Sequence, residues 1–524
     1  MISGLLHFAR LCRAAYVFAR EGVLGIAEPM PLPPAARLAL GGARLFERRG
    51  RGGDTAGRLS RALTRLGPTY VKLGQFLATR PDVVGVALAR DLESLQDKMP
   101  PFPQAEAEAT IARAFDRPVG EVFAMFGEPV AAASIAQVHR GAVATADGLR
   151  QVAVKILRPG VDRRFRADLA SFYFVAAKAE RLSPEARRLR MVEVVDTMAR
   201  SVALEMDFRL EAAAASEMAE NTRDDADFRV PEVDWERTAK DVLTLEWIDG
   251  IRLSDHDALR AQGFDLPQLA RIVIQSFLRH AMRDGFFHAD MHPGNLFVDD
   301  AGRLVAVDFG IMGRLGPKER RFLAEILYGF ITRDYRRTAR VHFEAGYVPP
   351  HHSIEDFAQA IRAIGEPIHN RTASEISMAK LLTLLFEVTG LFDMKTRPEL
   401  ILLQKTMVVV EGVARSLDPM LDMWSTAEPV VREWMERNLG PLGRVENVVE
   451  GTGEVGRFLG AVPALLHRGA GLVDRFDALT RDGLILAPDT VRDIGAAEAR
   501  RNRWSTLALW VIAGLLAWIA VQLS

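Results

Sequence analysis

The run His288-Ala289-Asp290-Met291-His292-Pro293-Gly294-Asn295, followed by Asp308-Phe309-Gly310 and preceded by Val152-Ala153-Val154-Lys155, constrains this chain more than any other feature. An Asp and an Asn in one loop, then a second Asp after a strand-like run, suit a cation held against phosphate oxygens. Phosphoryl transfer asks for placed charges more than for covalent chemistry. Either half alone is weak evidence; in this order, with a lysine closing an upstream strand, they point to ATP binding.

Length and composition set looser bounds. At 524 residues there is room for two or three domains or one large elaborated domain. A net charge of −1 exerts no global pull on nucleic acid. The single cysteine, Cys12, excludes an intrachain disulfide framework and cysteine-based zinc ribbons.

The two ends suggest membrane contact. Read as a helix, residues 2–20 place Ile2, Leu5, Leu6 and Ala9 opposite Arg10, Arg13 and Arg20. Such a helix either lies on a membrane surface or packs on its own domain. Arg10 and Arg13 interrupt any secretory-signal core. From Trp504 to Leu523 the chain carries no charge, which suits one bilayer crossing. Arg500, Arg501 and Arg503 precede it, so the positive-inside rule predicts a catalytic part on the cytoplasmic side of the inner membrane. A buried core helix or a tight hairpin is the alternative reading of this run.

Between the ends, residues 1–118 read as a helical extension, broken at Gly50–Gly53 and Gly67-Pro68. Residues 119–250 read as a β-rich unit with strands at Pro129–Val138, Gly141–Val143, Val152–Leu157 and Val242–Ile248, and long helical patterns at Arg163–Ala179 and Arg188–Asn221. Residues 251–437 read as helical, with an amphipathic helix over Leu266–Asp284 and a hairpin around Asp299-Asp300-Ala301-Gly302. Residues 438–503 read as a linker.

Further motifs narrow the field. Lys72-x-Gly74-Gln75 lies far upstream, Glu205-x-Asp207 sits in a helical pattern, and Ala131-Ala132-Ala133-Ser134 stands where kinases carry a Gly-rich loop. With Lys155, the Asp290/Asn295 run and Asp308, these resemble the UbiB family of atypical kinase-like proteins, which support ubiquinone biosynthesis. The resemblance covers roughly residues 65–420, and a C-terminal anchor is also family-like. Met291, where relatives often have Pro, is a local departure. The implied fold is α+β: a two-lobed atypical protein-kinase-like fold with a helical N-terminal extension and a C-terminal transmembrane helix.

The implied cofactors are ATP and Mg2+. Lys155 is expected to reach the α- and β-phosphates, with Glu211 either its ion-pair partner or a solvated helix residue. Asp290 takes the position of the catalytic base. Asp308 and Asn295 are expected to hold magnesium through oxygen. Ala131, Ala132, Ala133, Ser134 and Val138 would line the nucleotide, and Glu246 and Ile248 would form the hinge. Each alanine removes the backbone freedom glycine offers near phosphates, so a differently seated nucleotide is expected. His288 and His292 read as loop-orienting residues. By resemblance, Lys72, Gly74, Gln75, Glu205 and Asp207 lie over the site. From residues alone, Lys72 reads equally as an exposed helix lysine.

No Ala-Pro-Glu follows Asp308-Phe309-Gly310, and Ala289 replaces the arginine that answers a phosphorylated activation loop. Both features argue against an ordinary protein kinase. The expected acceptors or clients are membrane lipids and quinone precursors, alongside other ubiquinone-biosynthesis proteins. A nucleotide-gated lipid-handling module is the competing reading. A ubiquinone-pathway hydroxylase would need a flavin, iron or haem site, and no histidine–carboxylate ligand set stands out.

Overall fold

Strict alternation in one strand sets the layout of the first lobe. Within Gly148–Leu157, Val152, Val154 and Ile156 are fully buried, while Ala153 and Lys155 point to the other face. The computed structural model describes residues 2–23, 55–78, 99–368 and 398–439, with scattered positions in 84–92 and 388–394. The segment 504–523, expected to cross a membrane, lies outside them. Among the described residues no helix is long and apolar enough to do so.

The chain opens on α1 (Ile2–Arg20), α2 (Thr55–Leu66) and α3 (Pro68–Ala78). Gly67 turns α2 into α3 at φ +109°, where a side chain is strained, and Pro68 then begins α3 where its missing N–H costs nothing. Val17, Leu59, Leu63, Leu66 and Tyr70 form the core of this extension. After α4 (Gln104–Phe115) come β1 (Met125–Ala132), β2 (Ala136–Thr145) and β3 (Gly148–Leu157). The strand expected over Pro129–Val138 is in fact two, because the Ala133 N–H donates to the Ala136 carbonyl at 2.8 Å and closes a turn.

Three helices follow: α5 (Val161–Leu182), α6 (Met191–Glu205) and α7 (Phe208–Asn221). The pattern read as continuous over Arg188–Asn221 breaks at Asp207, whose extended backbone and side chain cap α7 by accepting the Arg209 N–H at 3.2 Å. Glu205 thus ends one helix and Glu211 lies in the first turn of the next. Next, β4 (Val242–Glu246) joins the antiparallel sheet in the order β1-β2-β3-β4. One face of β3 packs on Ile111 of α4 and on Phe123. The other carries the row Val138–Lys155–Leu243, paired across three strands.

The second lobe begins with β5 (Gly250–Arg252) and α8 (Leu266–Arg279). The helix expected to reach Asp284 ends at Arg279 and continues as a π turn, His280–Asp284, closed by Gly285 at φ +66°. β6 (Phe286–His288) pairs with β9 (Met312–Arg314), and β7 (Leu296–Asp299) with β8 (Leu304–Ala306). The Asp299 carboxylate accepts the N–H groups of Ala301 and Arg303, which shapes the expected hairpin turn. Helices α9 (Pro317–Ile331), α10 (Tyr335–Glu344), α11 (Ile354–Gly365), α12 (Pro398–Leu417) and α13 (Met423–Leu439) complete the lobe. Its core brings Phe277, Phe287 and Phe309 together with Leu403 and Val410 of α12.

A polar cluster pins the π turn inside this lobe. The buried Asp225 carboxylate accepts from His280 Nε2 at 3.1 Å and from Arg283 at 2.6 Å. Burial opposes its charge, but His280 and Arg283 outweigh that and hold Asp225 well below the usual carboxylate range. Burial also lowers His280. Both groups take up protons more readily unfolded than folded, so each favours the native state more as pH rises. Asp225→Asn should destabilise by about 2 kcal/mol in urea unfolding at neutral pH, since it removes the charge that His280 and Arg283 share and leaves Arg283 with Asp284 alone. Wild-type stability should fall as pH drops below about 6.5, first through His280 and at lower pH through Asp225.

Candidate active site

Lys155 projects from β3 into the cleft between the lobes, and its ammonium meets two carboxylates: Glu211 Oε1 at 2.7 Å and Asp308 Oδ1 at 3.0 Å. The first comes from α7 and the second from the segment after β8. Lys155 and Glu211 are largely enclosed, whereas the Asp308 side chain stays 48% exposed at the cleft. Burial opposes the charge on Lys155, but Asp308 and Glu211 hold the ammonium above the ordinary lysine range. One cation between two carboxylates divides them. Burial pushes Glu211 up to about 7 against the pull of Lys155. Burial also opposes ionisation of Asp308, but Lys155, with a smaller contribution from Lys72, holds it well below the usual range.

The remaining residues are brought in by the two β-pairs of the second lobe. Leu296 pairs with Ala306, and the Val307 N–H donates to the Asn295 carbonyl at 2.9 Å, so Asn295 and Asp308 leave the same end of one hairpin. Asn295 Nδ2 donates to the Asp290 carbonyl at 3.1 Å and to Asp290 Oδ2 at 3.3 Å. His288 fastens this loop from inside: its Nε2–H donates to the Val307 carbonyl at 3.1 Å while Nδ1 accepts the Asp290 N–H at 3.1 Å. Burial lowers its pKa, and these two bonds specify one neutral tautomer. His292 Nδ1 accepts the Gly294 N–H at 3.0 Å and shapes the loop locally. Asp308 takes φ +65°, a left-handed conformation that Asp tolerates better than most residues. Phe309 is buried with its ring edge-on to His288.

The donor set suits a hard cation. The Asn295 nitrogen is engaged by Asp290, and its amide oxygen and the Asp308 carboxylate, from the same end of one hairpin, are oxygens of the kind magnesium prefers.

Above the cleft, Lys72 of α3 pairs with Glu205 at the end of α6 at 2.7 Å, both largely buried. Lys72 also acts electrostatically on Asp308, so this pair contributes to the field at the site. It is no exposed helix lysine. Gly74 is buried in α3 and Gln75 partly so. Asp207 turns to Arg209, with contacts at 2.9 and 2.6 Å, and caps α7. The alanine segment differs from an open loop. Ala131 and Ala132 belong to β1, and the Ala132 carbonyl accepts the Met99 N–H at 3.3 Å. The Ala133 carbonyl accepts from Arg158 at 3.2 Å, and Ser134 is buried. Val138 lies opposite Lys155 on the cleft-facing row. At the hinge, Arg229 grips the Glu246 carboxylate at 2.9 and 3.0 Å. The Glu246 and Trp247 N–H groups are already engaged by the Glu232 and Gln151 carbonyls. Ile248 follows β4 at the turn.

Two features escaped the sequence reading. Thr406 of α12 shares its buried hydroxyl proton between the Leu402 carbonyl of its own helix at 2.8 Å and the Ala289 carbonyl at 3.1 Å, a contact to the loop from far along the chain. His351, His352 and Asp393 bring ligand-type atoms within 4.8 Å of one another, where the sequence reading saw no histidine–carboxylate set. The His352–Asp393 contact of 3.3 Å is an ordinary hydrogen bond. Thr406→Val, which keeps the shape and removes the hydroxyl, should cost about 1–2 kcal/mol in denaturant unfolding by leaving the Ala289 carbonyl without that donor.

Comparison with known proteins agrees with this geometry. Residues 94–342 match the ABC1 atypical kinase-like domain and residues 361–422 the UbiB helical domain. A relative from Marinobacter nauticus named "Probable protein kinase UbiB" is 40% identical over 453 residues, covering 85% of this chain and 82% of the relative. The solved complex of Rv3197 with erythromycin from Mycobacterium tuberculosis is similar at 25% identity and a TM-score of 0.51, covering 76% of this chain and 97% of that one. This chain belongs to the UbiB family of atypical kinase-like proteins.

Proposed function

We propose that the protein is a magnesium-dependent, ATP-binding atypical kinase or ATPase that supports ubiquinone biosynthesis. It would act on, or grant access to, lipid-like quinone precursors rather than phosphorylating proteins. The observation that carries this reading is Lys155 held between Glu211 and Asp308, with Asp290 and Asn295 fixed on the adjoining loop. Magnesium would supply charge neutralisation of the phosphates as negative charge builds on the transferred group. Lys155 would turn from Asp308 toward phosphate oxygens while Glu211 keeps it oriented. Asp308 and the Asn295 oxygen would hold the cation, and Asp290, anchored through its own N–H by His288, would take the proton of an attacking hydroxyl or water. At the hinge, the base would be met by carbonyl groups and Ile248, since the neighbouring N–H groups are engaged.

Two features support excluding peptide acceptors: the Lys72–Glu205 pair of α3 and α6 contributes to the field at Asp308, and α9 begins at Pro317, soon after Gly310. The apolar run 504–523, after three arginines, supports placement at the inner membrane with the site on the cytoplasmic side. A second reading, a nucleotide-gated lipid-handling or scaffold module with little phosphoryl transfer, draws on the same run and on the Lys72–Glu205 pair. ATP consumption stimulated by phenolic quinone precursors without a phosphorylated product would favour it.

Asn tolerates the left-handed backbone at position 308 as well as Asp does, so Asp308→Asn should fold normally and yet lose magnesium-dependent ATP binding in calorimetry. Retained magnesium-dependent binding would refute the assignment. Ala132→Gly should change nucleotide affinity or turnover by several-fold, because it frees a strand-end backbone that alanine restrains. Lys72→Ala should alter turnover and acceptor choice; a variant identical to wild type would reduce Lys72 to a structural residue.

A further inference from the structure

Away from the cleft, a cavity of about 350 Å3 opens where α1, the α2–α3 turn and the N-terminus of α5 meet. Its walls carry Arg10, Arg13, Arg163 and Arg164 against a single acid, Asp168, which leaves a formal charge of 4 − 1 = +3. None of the four arginines forms an ion pair with a carboxylate among the described residues. Two are fixed by backbone instead: Arg10 donates to the Ala167 carbonyl at 2.8 Å, and Arg164 to the Leu66 carbonyl, the end of α2, at 2.6 Å. Arg13 and Arg163 remain as exposed forks at the same opening.

We propose that this cavity binds a phosphate-bearing ligand. Like-charged guanidinium groups gathered round one space repel each other, and an anion relieves that cost while accepting paired N–H donors. The α5 helix adds to the attraction, because Gly160 at its N-cap lines the cavity and the first-turn N–H groups carry positive partial charge. Tyr70 lines the wall as well. Burial and Asp168 push its hydroxyl up, so it stays a donor. The volume falls in the range of small-molecule sites, which suits a phosphate ester carried on a larger group. Such an ester comes either from a soluble metabolite or from a phospholipid headgroup. The site shares α3 with Lys72, two residues beyond Tyr70, yet its walls include no residue assigned to the nucleotide cleft.

The test uses the full chain. Inorganic phosphate and glycerol 3-phosphate are titrated by calorimetry, and flotation is measured with phosphatidylcholine vesicles with and without phosphatidylglycerol. Binding should weaken about ten-fold in Arg163→Gln and in Arg13→Gln, and tighten several-fold in Asp168→Asn. It should be unchanged in Arg166→Gln, which removes the same charge from the same helix outside the cavity, where Arg166 pairs with Asp162. Dependence on Arg163 seen with the soluble probes identifies a soluble ester; dependence seen only with phosphatidylglycerol vesicles identifies a lipid headgroup. Both support the site. If wild type binds neither class of probe, or if Arg163→Gln and Arg166→Gln weaken binding equally, the proposal is overturned. Thermal melts of each variant separate loss of binding from loss of fold.

Discussion

The contact that holds the cleft together is one ammonium shared by two carboxylates from different lobes. Lys155 and Glu211 belong to the β-rich lobe and Asp308 to the helical one. A buried ion pair is a poor source of net stability, because desolvation offsets much of the attraction, and here only the Lys155–Glu211 half is enclosed while Asp308 stays open to the cleft. Such a contact therefore fixes geometry more than it adds free energy. Here it fixes the distance between the sheet and the loop that carries the other site residues. Everything downstream, from the Asn295–Asp290 bonds to the orientation of Asp308, presumes that spacing.

Support for the contact is layered. On one side, α4 and Phe123 bury Val152, Val154 and Ile156, and the pleat then forces Lys155 to the opposite face. On the other side, His288 clasps both the Val307 carbonyl and the Asp290 amide, and Thr406 braces the adjacent carbonyl from α12. The matched UbiB helical region, 361–422, thus includes a residue that reaches the loop carrying Asp290 and Asn295. Over the top, the Lys72–Glu205 pair ties the N-terminal extension to the first lobe and adds a second cation to the field at Asp308. The extension is part of the site's electrostatics.

How legible this was depended on the range of the physical signal. Alternation in Val152–Leu157, the turn chemistry around Asp299–Gly302 and the hydrophobic spacing of α8 are local, and they survive into the structure with modest shifts of boundary. Errors fell where two local signals compete. Helical periodicity runs through Met206-Asp207, but a capping carboxylate and the pairing of the Phe208 N–H with the Lys240 carbonyl win there. Likewise, a strand-like pattern runs through Pro129–Val138, yet the Ala133–Ala136 hydrogen bond folds it into a turn. Small residues at such a turn look alike whether they approach a ligand or pack on Met99 and Arg158.

The sequence by itself determined which chemistry was available: the types and order of Lys155, Asp290, Asn295 and Asp308, and the motifs that mark the family. Side-chain chemistry and local period are written residue by residue. Only the tertiary structure decided which groups share a charge. It joined Asp308 to the Lys155–Glu211 pair expected from the sequence, set Lys72 on Glu205, brought Thr406 to Ala289, and gathered four arginines from distant helices round one cavity. Those contacts join residues tens to hundreds of positions apart. Their energies arise from burial and mutual distance, which no local pattern encodes.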